Sequence, residues 1–313
     1  MKFASEKKDK QFWLRLAGTL VTMGLLVWLL WQQGWGQIVD AFQRIAWWRF
    51  AVALVFTLLS RVAVTLRWHI LMRASERPVQ FTQSLRLTFA GLFASNFLPT
   101  TVGGDVVRLA GAIQLGFDSA VTTASLVVDR LIGMAGMALA LPWGFARMFS
   151  IGLPALLKPE STGSNSLVAI TLPPVIIRLL EKSKVFIRRM FANISLWVRK
   201  PASLVLSLLF TLLHQLCLFL SIWFLLDGMG EPIPFMWVAG VWALVYFITL
   251  LPVSINGYGL QEISTTLLYT RLGGISPEAS VTVALLVRTL QMLASLPGAF
   301  FVPGIVAARK RDI

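Results

Sequence analysis

The chain has 313 residues, of which 57% are hydrophobic and only 13% charged, about half the roughly 25% charged fraction of a soluble domain. With a mean hydropathy of +0.75, this composition excludes a disordered chain and a water-soluble globule, because so much apolar surface cannot be buried in a water-facing fold of this size. Lys and Arg number 28 against 14 Asp and Glu, a net charge of +14; the bases gather in short connections between apolar runs, which points to an anionic leaflet or lipid rather than nucleic acid.

A helix needs roughly 20 apolar residues to cross the hydrocarbon core. On that measure the sequence predicts an all-α polytopic membrane protein, one transmembrane domain over 1–313, with about six spans near 13–32, 48–72, 119–146, 163–180, 201–226 and 277–302. The first is expected to be retained, since the uncharged run from Leu16 to Val39 is too long for a signal-peptide core and no A-x-A site follows. Residues 33–47, with Trp35, Phe42 and Trp47, and then Trp48, read as an interfacial helix. The segment 181–200 sets six bases among Val185, Phe186, Ile187, Met190, Phe191 and Trp197, the pattern of a helix lying on the membrane surface, with a solvated linker as the plain alternative. Bases before the first span (Lys2, Lys7, Lys8, Lys10), after the second (Arg73, Arg77, Arg86) and in the tail (Arg309, Lys310, Arg311) put both termini and the 181–200 segment in the cytoplasm. Cys217 is the single cysteine, so no internal disulfide forms.

Two apolar stretches do not fit simple spans. Residues 81–97 run into Leu98-Pro99-Thr100-Thr101-Val102-Gly103-Gly104-Asp105, and residues 235–251 run into Pro252-Val253-Ser254-Ile255-Asn256-Gly257-Tyr258-Gly259. Pro and Gly so placed break a helix, and about a dozen amphipathic residues follow each break before the next span. The expected form is a re-entrant hairpin, tolerated at membrane depth only where its loop faces protein or a wet cavity. An offset of 153 residues carries Pro99 onto Pro252 and Trp48 onto Pro201; Arg130 and Arg288 each lie eleven residues into the last span of their half. The unit of span, hairpin, span therefore recurs, over approximately 48–146 and 201–302, and the loop charges give the two copies opposite orientation.

Charges at depth are costly, at least ~2.5–3.5 kcal/mol at the bilayer centre. Seven fall in or beside the expected cavity: Arg61, Asp105, Arg108, Asp129, Arg130, Glu262 and Arg288. They could pair among themselves and lock the bundle. The surplus of arginine, with the helix start after Gly103-Gly104 and the hydroxyls of Thr100 and Thr101, also makes an anion site, and the natural anion within a bilayer is a lipid phosphate. By symmetry Ser254, Asn256, Gly257, Gly259 and Glu262 form the second loop. Asp129 and Arg130 are helix neighbours that cannot face each other, so Asp129 is expected to pair with Arg108 or Arg61. His69 and His214 read as packing or interface histidines. No ligand spacing for a metal and no phosphate-binding loop of an ATPase is present, so neither a cofactor nor ATP hydrolysis is expected. Gly133, Gly136 and Ala140 could let the third span pack closely on a neighbour.

Asn96…Pro99…Gly103-Gly104-Asp105…Arg108, Asp129-Arg130, Leu251-Pro252…Gly257-Tyr258-Gly259…Glu262 and Arg288 together resemble the lysylphosphatidylglycerol synthase transmembrane-region family, also described as flippase-like and including the membrane half of the multiple peptide resistance factor. Gln261, where relatives often carry a base, and Asn256, where glycine is frequent, depart from that pattern. The resemblance implies a bacterial inner-membrane protein that moves or handles lipids, with Asn96 among the substrate-binding residues. In that family aminoacyl transfer belongs to a separate soluble domain, and the chain stops at Ile313, so lysyl transfer is not expected. The first expectation is a non-enzymatic flippase or transporter of an anionic lipid. The rivals are a membrane-embedded transferase, which would need a convergent base and usually a metal, and a non-transporting partner of a lipid-biosynthesis enzyme.

Overall fold

The computed structural model describes residues 43, 45–74, 79–96, 98, 103–151, 197, 200–251 and 257–302. Among them all regular structure is helical. Long apolar runs give long helices, α1 (Trp47–Arg73), α4 (Ser119–Ala138) with α5 (Leu141–Ile151), α6 (Pro201–Gly228) and α9 (Pro277–Ser295). Pro/Gly breaks give short ones, α2 (Phe81–Ser95), α3 (Gly103–Gln114), α7 (Phe235–Thr249) and α8 (Leu260–Leu268), the last extended by a π turn over Tyr269–Gly273. Among the described residues, four segments are long and apolar enough to cross a membrane: Trp47–Arg73, Ser119–Ser150, Pro201–Gly228 and Pro277–Phe300. The expected spans at 13–32 and 163–180, and nearly all of the segments 33–47 and 181–200, lie outside the described residues.

The helix ends follow local chemistry. Asp118 caps α4 by accepting from the N–H groups of Ala120 at 2.8 Å and Val121 at 2.9 Å, and Pro277 follows the Ser276 cap of α9. Gly259, at φ +75, adopts the left-handed conformation that starts α8. The third span runs beyond the expected 119–146 and is interrupted. Leu139 and Ala140 bond back three residues, to Gly136 and Met137, because Pro142 offers no N–H and disfavours helix at the residue before it. Pro297 likewise tightens the end of α9 into a 3₁₀ turn, Leu296–Phe300.

α1 and α6 make the most extensive helix–helix contact among the described residues. Their partners run in opposite order, the Arg49–Asp227 ion pair, then Thr57 with Ser221, Ser60 with His214, and Ser207 with the Arg67 carbonyl, which marks an antiparallel pair. Val55, Leu59, Val205 and Leu209 are exposed on the outer faces, where a lipid-facing helix carries its apolar side chains. Trp197 departs from the expected surface placement. It is fully buried, and its indole donates to the Leu71 carbonyl at 2.9 Å while Lys200 donates to that of Ala74 at 2.7 Å. The end of α1 leaves carbonyls without helical partners, and these two side chains fill them.

α2 and α3 fold back on each other across the first break. Leu87 of α2 and Ala112 of α3 share an apolar cluster with Val79, Phe117 and Trp68. Nearer the break the backbones almost touch: a Cβ on Gly91 would stand 2.7 Å from the Gly104 carbonyl oxygen. Gly91→Ala must therefore push the two helices apart, and we expect a cost of about 1–3 kcal/mol, read as a lower melting temperature in detergent, whereas Val55→Ala on the outer face of α1 should change it little.

Candidate functional site

The charged residues that the sequence scatters over α1, α3 and α4 meet in one network. Asp129 of α4, buried, accepts from Arg67 Nε of α1 at 2.7 Å and from Arg108 Nη1 of α3 at 3.3 Å. Asp105, in the first turn of α3, accepts from Arg108 Nη1 at 3.2 Å and from Arg130 Nε at 2.5 Å. Arg67 and Arg130, donating to different acids, are thus joined through Arg108. The Arg108 guanidinium also lies 4.3 Å from the centre of the Trp68 ring, whose indole N–H is held by Ser125 at 3.1 Å. Three sides of Arg108 are fixed by an acid, an acid and a ring, yet its Nε and Nη2 have no hydrogen-bond partner among the described residues.

A second, smaller constellation faces it from α8 and α9. Arg288 Nε donates to the buried Glu262 at 2.6 Å, its Nη2 to the Gly257 carbonyl at 3.3 Å, and its guanidinium lies 4.7 Å from the Tyr258 ring centre. The Tyr258 hydroxyl donates to the Asn96 carbonyl at 3.0 Å, and Asn96 Nδ2 donates to Ser295 at 2.8 Å. Residues flanking the two Pro/Gly breaks are thereby tied together.

Between the constellations lies a cavity of about 370 Å³. Arg61, Asn96, Asp105, Arg108, Asp129, Arg130, Gly257 and Arg288, all expected site residues, line it. Glu262 stands behind Arg288 and does not itself line the cavity. Gly103, Gly104 and Gly259 also stand outside the lining; Gly104 is packed on the Gly91 backbone and Gly103 on Leu98, so helix contact accounts for both. Thr100, Thr101, Ser254 and Asn256 lie outside the described residues.

Arg67 is the main residue that the sequence reading passed over, and it takes the place expected of Arg61 beside Asp129. The register explains the exchange. α1 meets α4 at Met72–Ser125 and Arg67–Asp129, so Arg61 stands six residues, about 9 Å, further along. Among the described residues Arg61 has no carboxylate partner, and its buried Nε is unbonded. His214, expected to serve packing, lines the cavity as well as bonding Ser60 through Nδ1 at 2.6 Å. Gln291 and Ser295 follow Arg288 at helical spacing on the same face and also line it.

In sum of charge, five arginines line the cavity against two aspartates, with Glu262 directly behind. Neutralising Asp129 would strand the buried Arg67 guanidinium and leave Arg108 with Asp105 alone. Asp129→Asn should cost on the order of 3–5 kcal/mol, and Asp105→Asn, whose partner Arg130 is partly exposed, distinctly less; thermal unfolding of the purified variants compares them.

Among curated proteins, none matches this chain. Over residues 15–298 it matches the family described as lysylphosphatidylglycerol synthase TM region. Nearly the whole chain is covered, and the long apolar helices are those of a membrane protein. The chain belongs to the lysylphosphatidylglycerol synthase transmembrane-region family.

Proposed function

We propose that this protein is a transporter, and not an enzyme, that carries a phosphate-bearing anionic lipid across the bacterial inner membrane by alternating access and without ATP. The observation that carries this reading is the arginine-rich cavity, in which Arg61 Nε and Arg108 Nε and Nη2 are buried donors without partners among the described residues. A headgroup phosphate satisfies such donors with charge-assisted hydrogen bonds and replaces the hydration lost on leaving water, while the acyl chains stay in hydrocarbon.

Alternating access rests on the two-fold construction. The halves 48–146 and 201–302 pair helices of 27 and 28 residues, 15 and 15, and 20 and 19 in the same order. Each half also sets an arginine of its last span on an acid of its second short helix, with sequence separations of 25 for Asp105–Arg130 and 26 for Glu262–Arg288. α2–α3 and α7–α8 are the two re-entrant hairpins of this scheme, inverted in the membrane with both chain termini cytoplasmic, and the headgroup binds where they meet. An outward-moving anion gains ~2.3 kcal/mol per 100 mV from an inside-negative potential, which supplies direction without nucleotide hydrolysis.

Transfer of fluorescent phosphatidylglycerol between leaflets of reconstituted vesicles tests the reading. Protein should accelerate transfer, and Arg108→Ala and Arg61→Ala should each slow it by on the order of tenfold or more, the worth of a hydrogen bond to a charged group. Equal rates with and without protein, or unaltered rates in both variants, would overturn it.

A further inference from the structure

We infer that the apolar groove between α3 and α4 holds an acyl chain of the lipid whose headgroup occupies the cationic cavity, with the Asp105–Arg130 ion pair as the threshold between the two. This rests on the reading of the cavity as a lipid-phosphate site and adds the route by which the rest of the lipid lies.

The groove has a volume of about 190 Å³ and is walled by Val106 and Leu109 of α3 and Leu126 and Val127 of α4. Its remaining members are Thr123, Asp105 and Arg130. The Thr123 hydroxyl is spent on the Ser119 carbonyl at 2.7 Å, so the surface it offers is its methyl group. Asp105 and Arg130 line the large cavity too. One ion pair therefore has the arginine-rich cavity on one side and an apolar groove on the other. That juxtaposition fits an amphiphile and little else: the phosphate and the chain are covalently joined, and they need adjoining surfaces of opposite character.

The exposure of the pair supports a passage at this point. The Arg130 and Asp105 side chains are 39% and 16% exposed, whereas the corresponding Arg288 and Glu262 are 13% and 4% exposed. Val106 and Leu131, beside the first pair, are exposed apolar residues facing outward. The first half of the molecule is thus the one whose pair is open to the surroundings, and the groove lies on that side. Within a bilayer the chain exchanges lipid contacts for protein contacts, so the groove decides where the chain lies through packing rather than through transfer out of water.

The test uses the full-length protein in nanodiscs and phosphatidylglycerol bearing a photoreactive diazirine in one acyl chain. Irradiation should place adducts on peptides holding Val106, Leu109 and Val127. Val106→Trp at its exposed position, and separately Thr123→Trp, fill the groove from opposite helices and should reduce this labelling severalfold, because the indole takes the space the chain needs. Binding of glycerophosphoglycerol, the same headgroup without chains, should stay within about twofold in both variants. Labelling spread equally over outward residues such as Val205 and Leu209, or labelling unaffected by either tryptophan, overturns the groove while the cavity reading stands. Failure of glycerophosphoglycerol to bind the unaltered protein, or equal loss of its binding in both variants, overturns it through the headgroup site instead.

Discussion

Asp129 accepts from Arg67 and Arg108 at once, and the placement of three helices follows from that fact. An ion pair within a bilayer is favourable less for its own attraction than because either charge alone is so costly there. α1 brings Arg67, α3 brings Arg108 and α4 brings Asp129. None of the three helices can slide by a turn without leaving a charge unanswered in a low-dielectric setting. Asp105 extends the chain of alternating charges to Arg130, so the start of α3 is pinned as well, next to the first Pro/Gly break. In the second half the Glu262–Arg288 pair does the same for α8 and α9.

Outside this network the helices are joined by small residues and hydroxyls, as association within lipid demands, since hydrocarbon gives apolar faces no reason to prefer one another. Between α1 and α6 the contacts are Thr57–Ser221 and Ser60–His214. α4 meets α6 where Gly136 lies against Thr211 and Gln215. The glycines Gly91 and Gly104 of α2 and α3, and Gly144 and Gly240 of α5 and α7, bring backbones into van der Waals contact. A large buried cluster does exist, centred on Ile222, Leu225, Val238, Val241 and Leu290, but it fills space between helices whose positions the polar contacts have already determined.

Hydropathy made the long helices legible: the expected 48–72 and 201–226 fall within one or two residues of Trp47–Arg73 and Pro201–Gly228. The breaks were legible too, because Pro and Gly act on the backbone locally, whatever surrounds them. Arg67 was not. An arginine near a helix end reads as a side chain able to reach the headgroups, and nothing local reveals that Asp129 stands opposite; that depends on the register of α1 against α4. The same holds for Gly104, whose role is decided by Gly91 on another helix. Arg288, Gln291 and Ser295 are different, since their spacing of three and four puts polar groups on one face of an apolar helix. That pattern was available in the sequence and identifies the cavity wall that α9 supplies.

For the proposed transport, the mixture of acids with arginines bears on how a bound anion would leave. Hydrogen bonds to charged groups are worth roughly 1.5–3 kcal/mol each, and differences in affinity are expressed mostly in the rate of dissociation. Five uncompensated guanidiniums around one phosphate would hold it for too long to be of use to a carrier. Here Arg67 is committed to Asp129, Arg288 to Glu262, and Arg130 to Asp105. Among the described residues, the buried arginine donors left without a partner are Nε of Arg61 and Nε and Nη2 of Arg108. Two partly free cations, set among three compensated ones, would attract a phosphate without trapping it. Because the compensating acids are also what hold the helices together, a movement that parts Arg130 from Asp105 changes the charge facing the cavity at the same moment as it opens the wall. Under the proposed transport, the coupling of access to affinity that a carrier requires would then be a property of the ion pairs themselves, with no separate gate.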